Sequence, residues 1–386
     1  MNDFMFYNPV RIHFGREAMG ELEGELSAVG QRILLVYGGG SIKRTGLYDR
    51  VMEVMRKLGK EVFELPGVMP NPRAEKVYEG IELCRKHGIE FMLAVGGGST
   101  IDCTKAISVG ACTEKDFWTA FFKNKEKAEA AIPFGTVLTI PATGSEFDKS
   151  AVVTNMDTHD KNDYTDPFLY PKFTILDPTL TYTLPKNQMV NGVIDTMSHL
   201  YELYISPPDT LSLTDALSEA AMRTEIESAR IAIREPENYI ARANMMWTSS
   251  VALCGITGCG KATDWESHCI EHTLSALYDV PHGAGLAVVH PAFLAYTIDA
   301  CTPRLARLAV NVWGVSPAGK SEKELAQAAI DATRAFFHEL GAPITLTELG
   351  VPESGIEAAA DLADLGCCAY RRVTRDDVVN ILRSAL

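Results

Sequence analysis

Residues 91–99, FMLAVGGGS, form a short apolar run that ends in three glycines and a serine, and residues 32–41, RILLVYGGGS, repeat this arrangement. Short apolar runs bounded by glycine are typical of strands that are buried on both faces of a parallel sheet. Glycines at a strand-to-helix turn let the backbone approach a phosphate closely, and the helix that follows offers free N–H groups. One such turn could be only a tight turn, but two of them favour a nucleotide site.

The first half of the chain alternates strand and helix patterns, as expected for a Rossmann-like parallel sheet. Further strands are predicted at residues 61–65, 135–140 and 173–176, and helices at residues 47–58 and 74–86. From residue 187 onward the patterns are helical, with helices predicted at residues 211–233, 239–256, 322–340 and 374–386. We therefore expect an α/β dinucleotide-binding domain at residues 1–185 and an all-helical domain at residues 186–386.

Composition and charge restrict the possible partners. The 386 residues carry 36 Lys and Arg against 50 Asp and Glu, a net charge of −14. This balance predicts no nucleic-acid partner, because a nucleic-acid interface needs a basic face. No apolar run approaches the roughly 20 residues of a membrane helix, so no membrane contact is expected. The nine cysteines form no CxxC pair, and we expect reduced thiols in a cytoplasmic protein.

The residues after the first glycine turn bear on the choice between NAD and NADP. Neither turn matches GxGxxG or the GxxxxGK[ST] of a P-loop, so the sequence does not support an ATPase or a kinase. Sites selective for NAD commonly place an acidic side chain on the ribose 2′-hydroxyl. Here Ser41, Lys43 and Arg44 follow the glycines, and the two cations would neutralise a 2′-phosphate. Lys43 and Arg44 therefore favour NADP(H), although they could also simply be solvent-exposed residues at the start of a helix.

Acidic and imidazole side chains in the helical half predict a metal site. Asp195 and His199 are four residues apart, which places them on one helix face, and His268 and His272 repeat this spacing. His282 follows in a Pro-His-Gly turn. An aspartate with several histidines on two helices and a loop suits Zn²⁺ or Fe²⁺. The spacing does not decide which three of the four histidines bind the metal, and one left over would relay protons.

Together these motifs resemble the iron-containing, or group III, alcohol dehydrogenase family. The matching segments are GGGSxxDxxK at residues 96–105, TGSE at 143–146, DPxLTxTLP at 177–185, GVIDTMSH at 192–199 and HxxxHxxxxxxxxxHG at 268–283. Two further segments, YGGGS at residues 37–41 and REPENY at 234–239, are similar to the branch of NADPH-dependent aldehyde reductases and butanol dehydrogenases. The resemblance extends from the N-terminus nearly to the end of the chain.

The resemblance implies a dehydroquinate synthase-like fold, with the active site in the cleft between a dinucleotide-binding domain and a helical metal-binding domain. It assigns one Fe²⁺ or Zn²⁺ ion to Asp195, His199, His268 and His282, and leaves His272 as a candidate proton relay. It places the cofactor contacts at Gly38, Gly39, Ser41, Asn71, Gly97, Gly98, Ser99, Thr139, Thr143, Lys161 and Tyr182. Some relatives carry aspartate after the first strand. Glycine stands there in this chain, which again favours NADP(H) over NAD(H).

From these features we expect reversible hydride transfer between NAD(P)H and a small aldehyde, with a primary alcohol as the product and a divalent metal polarising the carbonyl. One alternative is a metal- and NAD-dependent elimination or cyclisation on a phosphorylated sugar, as in dehydroquinate synthases. That reaction would need Lys and Arg side chains near the metal, and residues 195–199 and 265–285 supply few. A second alternative is a sensor without turnover. The resemblance also implies a homodimer.

Overall fold

The computed structural model describes residues 1–210, 212–366 and 370–386, and these residues contain eight strands. The strands are β1 Arg11–Phe14, β2 Arg32–Tyr37, β3 Glu61–Leu65, β4 Phe91–Gly97, β5 Phe134–Ile140, β6 Ser150–Asn155, β7 Asp160–Thr165 and β8 Phe173–Leu176. Six of them form an all-parallel sheet in the order β1-β8-β5-β4-β2-β3. The remaining two, β6 and β7, form an antiparallel pair. The sequence patterns had not predicted β1, β6 or β7.

Thirteen α-helices accompany the strands in the described residues. In the first half they are α1 Leu22–Ser27, α2 Ser41–Arg44, α3 Leu47–Lys57, α4 Ala74–His87 and α5 Gly98–Gly110. In the second half they are α6 Lys186–Tyr204, α7 Leu213–Arg234, α8 Tyr239–Leu253, α9 Glu266–Tyr278, α10 His282–Asn311, α11 Glu322–Leu340, α12 Ile356–Leu362 and α13 Arg375–Arg383. The helix expected from residue 211 begins later, because Ser212 and Asp215 form a capping box at its N-terminus. Leu211 itself lies outside the described residues.

The chain divides into two compact units. Residues Asn8–Leu184 form an α/β unit, and Met1–Tyr7 together with Pro185–Leu386 form a helical unit. The sequence patterns predicted the first seven residues as part of the α/β domain at residues 1–185. In the structure they belong to the helical unit, where the Asn2 backbone N–H donates to the Gly260 carbonyl at 3.0 Å. Among the described residues of this unit there is no strand.

The direction of the chain through the sheet changes between β2 and β4. These two strands are neighbours, but the chain leaves β2 toward β3 on one side and leaves β4 toward β5 on the other. In open α/β sheets, ligands bind outside the carboxyl ends of the strands at such a point. Both glycine turns begin there, since residues 38–41 follow β2 and residues 97–99 lie where β4 meets α5.

Two charged residues of the GGGSxxDxxK motif hold the chain that follows β5. Asp102 and Lys105 lie on α5 and are buried. The Lys105 ammonium donates to the Ser150 carbonyl at 2.8 Å, and the Asp102 carboxylate accepts a hydrogen bond from the Ser145 hydroxyl at 2.6 Å. Because buried charges need such partners, the motif ties the segment after β5 firmly to α5.

The long helix α10 lies in the core of the helical unit. By length and composition it is the one described helix that could cross a membrane, but 78% of its most apolar stretch is buried inside the protein. Its backbone departs from helical angles at Cys301 (φ −126°, ψ 20°), just before Pro303. Proline removes a backbone donor and clashes with the preceding turn, which accounts for the kink. The apolar composition of α10 is therefore explained by its burial.

A buried acid on α7 predicts a pH-dependent stability. Glu225 is buried, its Oε2 has no hydrogen-bond partner among the described residues, and burial raises its pKa well above the usual value. An acid with a raised folded-state pKa stabilises the fold below its unfolded-state pKa and loses this contribution as pH rises through the folded-state pKa. Glu225→Gln should therefore raise the melting temperature at about pH 8 by ~2–4 °C, the effect of roughly 1 kcal/mol.

The gain should shrink as the pH falls toward about 5, where the unfolded chain also begins to hold this proton. Melting curves at both pH values measure the difference. The exposed Glu227 on the same helix provides the control, because Glu227→Gln should leave the melting temperature unchanged at either pH. An equal gain for Glu225→Gln at both pH values would contradict the prediction.

Candidate metal centre and cofactor site

Two helices and the start of a third bring the predicted metal residues together. Asp195 and His199 lie on α6, His268 lies on α9, and His282 is the first residue of α10. The Oδ1 atom of Asp195 is 3.5 Å from His199 Nε2, 3.7 Å from His268 Nε2 and 3.6 Å from His282 Nε2. Three imidazole nitrogens therefore surround one carboxylate oxygen.

Two of the atoms that face one another in this cluster lack a hydrogen-bond partner in the described residues. Asp195 Oδ1 and His268 Nε2 are buried and have no hydrogen bond within the described part of the chain. Buried polar atoms are normally hydrogen-bonded, because leaving one unpaired costs about 1–3 kcal/mol. A divalent cation would satisfy both atoms, and a set of imidazole and carboxylate ligands suits Zn²⁺ or Fe²⁺. The residues present therefore fit a metal ion.

The charges in the cluster shift one another's pKa values. Burial by itself would raise the pKa of Asp195, but the histidines led by His199 outweigh it and hold that pKa well below its ordinary value. Burial lowers the pKa of His199 to about 4. Burial also opposes protonation of His268, yet the carboxylates of Glu202 and Asp195 prevail and raise its pKa to about 10. A metal cation would take the place of the proton that His268 holds without it.

Two glutamates that the sequence analysis missed orient the histidines. His268 Nδ1 is hydrogen-bonded to Glu202 Oε2, and His282 Nδ1 to Glu271 Oε2. An imidazole that donates its Nδ1–H to a carboxylate keeps the Nε2 lone pair available to a metal. Each lies three residues after a predicted ligand, Glu202 after His199 and Glu271 after His268. This spacing does not reveal their role, because each carboxylate binds a histidine of another helix.

His272, the candidate proton relay, lies beside this cluster. Its ring centroid is 5.4 Å from that of His282 and 6.5 Å from that of His268. Ligand atoms of Glu271, His272 and His282 lie within 4.8 Å of one another, as do those of Asp195, His268 and His282. His282 thus belongs to both groups. The relay role of His272 stays a prediction.

The predicted cofactor residues all lie in the α/β unit. They are Gly38, Gly39 and Ser41 after β2; Gly97, Gly98 and Ser99 where β4 meets α5; Thr139 and Thr143 at the end of β5; Asn71 between β3 and α4; Lys161 on β7; and Tyr182 near the end of the unit. The fold brings two of the distant ones together, since the Lys161 ammonium donates to Asn71 Oδ1 at 3.1 Å.

Close packing explains the glycines of the second turn. A Cβ atom at Gly97 would lie 2.9 Å from Ile140 Cβ, and one at Gly98 would lie 2.3 Å from Thr143 Oγ1. Without these side chains, the β4–α5 junction can approach the end of β5. Gly97, the N-cap of α5, supplies no capping side chain. The first N–H groups of α5 are therefore available to an anion such as a pyrophosphate.

Lys43, expected to neutralise a 2′-phosphate, is held beside the first turn by other groups. Its ammonium lies 4.5 Å from the ring centroid of Tyr48, 5.2 Å from that of Tyr37 and 4.0 Å from Glu64 Oε2. The Glu64 carboxylate in turn accepts hydrogen bonds from both tyrosine hydroxyls. The charge of Lys43 is therefore partly balanced by Glu64.

Comparison with known proteins decides the family. Residues 9–178 match the family described as iron-containing alcohol dehydrogenase, and residues 189–386 match the C-terminal part of the same family. The chain belongs to the iron-containing alcohol dehydrogenase family. It is 42% identical to the probable NADH-dependent butanol dehydrogenase 1 of Bacillus subtilis, with 100% of both chains covered. It is 39% identical to the NADPH-dependent aldehyde reductase YqhD of Escherichia coli, with 93% of this chain and 92% of that one covered.

A solved structure of this family has the same fold. The crystal structure of NADH-dependent butanol dehydrogenase A from Thermotoga maritima superimposes with a TM-score of 0.95 at 38% sequence identity, covering 100% of this chain and 99% of that one. The fold class expected from the sequence, a parallel α/β sheet followed by helices, is confirmed. The protein is an NAD(P)-dependent oxidoreductase of the alcohol dehydrogenase type.

Replacing the carboxylate behind His268 should weaken the metal centre. Glu202→Gln removes the charge that keeps the proton on His268 Nδ1, so we expect the affinity for Zn²⁺ to fall about tenfold to a hundredfold. Competition with a chromophoric chelator measures the dissociation constant. Glu237→Gln, at an exposed position of the same unit, is the control and should bind like the unaltered protein. Unchanged affinity of Glu202→Gln would show that this carboxylate does not orient a ligand.

Proposed function

We propose that the protein reduces a small, uncharged aldehyde to a primary alcohol, and catalyses the reverse reaction, with NADPH or NADH and one divalent metal ion. The observation that carries this proposal is the convergence of three imidazole Nε2 atoms on the buried Oδ1 of Asp195. When bound, the metal supplies Lewis-acid polarisation of the carbonyl and the reduced nicotinamide supplies the hydride. The activities in the names of two relatives, butanol dehydrogenase and aldehyde reductase, support the same reaction class.

The helical unit would hold the metal and a proton. Asp195, His199, His268 and His282 would be the ligands, and the carboxylates that bind Nδ1 of His268 and His282 would fix the orientation of these two rings. His272 stands next to the ligands and would deliver the proton that the alcohol oxygen requires, directly or through water.

The α/β unit would bind the dinucleotide. The uncapped start of α5 would bind the pyrophosphate through backbone N–H groups. The hydrogen-bonded pair of Asn71 and Lys161 would contact the nicotinamide ribose. We infer a preference for NADP(H), because Lys43 and Arg44 follow the first glycine turn and would neutralise a 2′-phosphate, and no acidic residue follows β2 directly. The names of the relatives divide between NADH and NADPH, and therefore do not decide this point.

An elimination or cyclisation on a phosphorylated sugar is less well supported. The chain has no Lys or Arg between Lys186 and Arg223, and none between Lys261 and Arg304. These two segments contain every residue of the candidate metal centre. A phosphate near that centre would therefore meet carboxylates and imidazoles, with no cation from α6 beyond its first residue, from α9 or from the beginning of α10.

We also propose a cytoplasmic homodimer. None of the seven cysteines among the described residues forms a disulfide, which suits a reducing compartment. The dimer rests on the family resemblance.

Metal removal tests the reaction itself. Protein stripped with a chelator should no longer oxidise NADPH in the presence of butanal, and Zn²⁺ or Fe²⁺ should restore the activity, because the carbonyl is not polarised without the ion. Asp195→Ala should lose both bound metal and turnover, whereas Asp331→Ala on α11 should lose neither. Full activity of the stripped protein, or of Asp195→Ala without metal, would overturn the proposal.

Exchanging one cation tests the cofactor preference. Lys43→Met should lower kcat/KM for NADPH relative to NADH by about tenfold, the effect of roughly 1.4 kcal/mol, because only NADPH carries the 2′-phosphate that this ammonium would contact. Lys57→Met on α3, whose lysine side chain is exposed, should leave the ratio as it is. A ratio that does not respond to Lys43→Met would remove the basis for preferring NADP(H).

A further inference from the structure

Trp265 stands at the N-terminal end of the helix that carries two of the site histidines. It is the N-cap of α9, three residues before His268, and its backbone is not helical (φ −133°, ψ 15°). The indole centroid lies 5.6 Å from the ring of His268 and 6.0 Å from that of His199, at interplanar angles of 77° and 66°. The half-buried indole therefore lies beside two imidazoles of the candidate metal centre and is steeply inclined to both.

The single polar atom of this indole is already engaged. Trp265 Nε1 donates a hydrogen bond to Thr263 Oγ1 at 3.2 Å. An indole has no other donor and no acceptor, so the remaining ring presents only carbon surface. Along α9 the metal centre is thus flanked by an apolar ring on the N-terminal side of His268 and by the imidazole of His272 on the C-terminal side.

Tyr278, the last residue of α9, packs against a different element. A Cβ atom at Gly355 would lie 1.7 Å from the Tyr278 hydroxyl oxygen, so the end of that side chain is packed tightly against the start of α12. Trp265, at the N-cap of α9, is therefore the indole that lies next to the candidate ligands.

We propose that Trp265 determines which aldehydes the enzyme accepts, an inference that rests on the proposed aldehyde reduction. Its ring forms an apolar wall beside the metal, which admits a neutral unbranched carbon chain and excludes substituents on the carbon next to the carbonyl. Acidic and sulfonated aldehydes are disfavoured as well, because neither the wall nor the surrounding segments, which lack Lys and Arg, can pair with an anion.

A merely supporting role for Trp265 would give a different result. If the indole only packed against His199 and His268, its removal would weaken metal binding and slow every aldehyde by a similar factor. A wall that touches the substrate changes the relative rates of two substrates of different shape. The ratio of kcat/KM for 2,2-dimethylpropanal to that for butanal is therefore the informative quantity.

The first experiment measures this ratio on the metal-loaded protein and on Trp265→Phe and Trp265→Ala. We expect Trp265→Ala to raise it about tenfold or more, the usual effect of a methyl-sized change in an apolar pocket, and Trp265→Phe to raise it less. Trp247→Ala, which removes a 43% exposed tryptophan of the same unit, should leave it unchanged. A ratio within about twofold of the unaltered enzyme in Trp265→Ala would overturn the proposal.

A second measurement tests the effect of Trp265 on ligand binding independently of the reaction. Butanamide and 2,2-dimethylpropanamide are unreactive analogues of the two aldehydes, and their binding to the Co²⁺-substituted protein can be followed by the visible spectrum of the ion. Trp265→Ala should improve binding of the branched amide relative to the linear one, with bound cobalt unchanged. If no aldehyde is reduced but this amide ratio still shifts, the proposed aldehyde reduction is wrong, whereas the proposal that Trp265 selects ligands by shape is supported. An unshifted amide ratio rejects the wall, whether or not aldehydes are reduced.

Discussion

Burial of the Asp195 carboxylate is the constraint around which the metal-binding end of the helical unit is built. A buried anion must be compensated, because the loss of hydration is far larger than the net stability of a domain. Three imidazoles face its Oδ1 atom, and two of them need carboxylates of their own on the far side of the ring. The negative charge of Glu202 is stabilised in turn, because Glu202 accepts hydrogen bonds from the Ser267 backbone N–H at 2.9 Å and from the Ser267 hydroxyl at 2.6 Å.

The outermost member of this network is His290. The Ser267 hydroxyl has one proton and gives it to Glu202, whose pKa is lowered mainly by the charge of His268 against the effect of burial. The 2.7 Å contact between Ser267 Oγ and His290 Nδ1 therefore has the imidazole as its donor. Burial lowers the pKa of His290 to about 4, so this ring stays neutral. Each layer thus determines the protonation of the next, and a metal ion would replace the proton on the ligand nitrogen of His268.

The α/β unit uses a different device to prepare its site. At the second glycine turn, the absence of side chains lets the junction of β4 and α5 lie against the end of β5, and the buried charges of Asp102 and Lys105 hold the following segment on α5. Strand order places both glycine turns at the same point of the sheet. Hydrogen-bonded polar side chains therefore prepare the candidate metal site of the helical unit, whereas the backbone of the glycine turns prepares the candidate nucleotide site of the α/β unit. This division suits the chemistry, because a metal needs directed lone pairs and a pyrophosphate needs closely spaced N–H groups.

Local sequence patterns determined the buried strands, most helix positions, the family and the set of metal-site candidates. Apolar runs and fixed helical spacings report which side chains share a face, and they do so without knowledge of distant residues. Only the tertiary structure decided what lies opposite those faces. The strand Asp160–Thr165 is almost entirely polar and has no hydrophobic period, so it became visible only through its pairing with β6. Asn71 and Lys161 form a hydrogen bond although they are 90 residues apart in the sequence. Glu202 is hydrogen-bonded to His268, which lies on another helix. Such contacts depend on how the whole chain packs, which short-range periodicity does not encode.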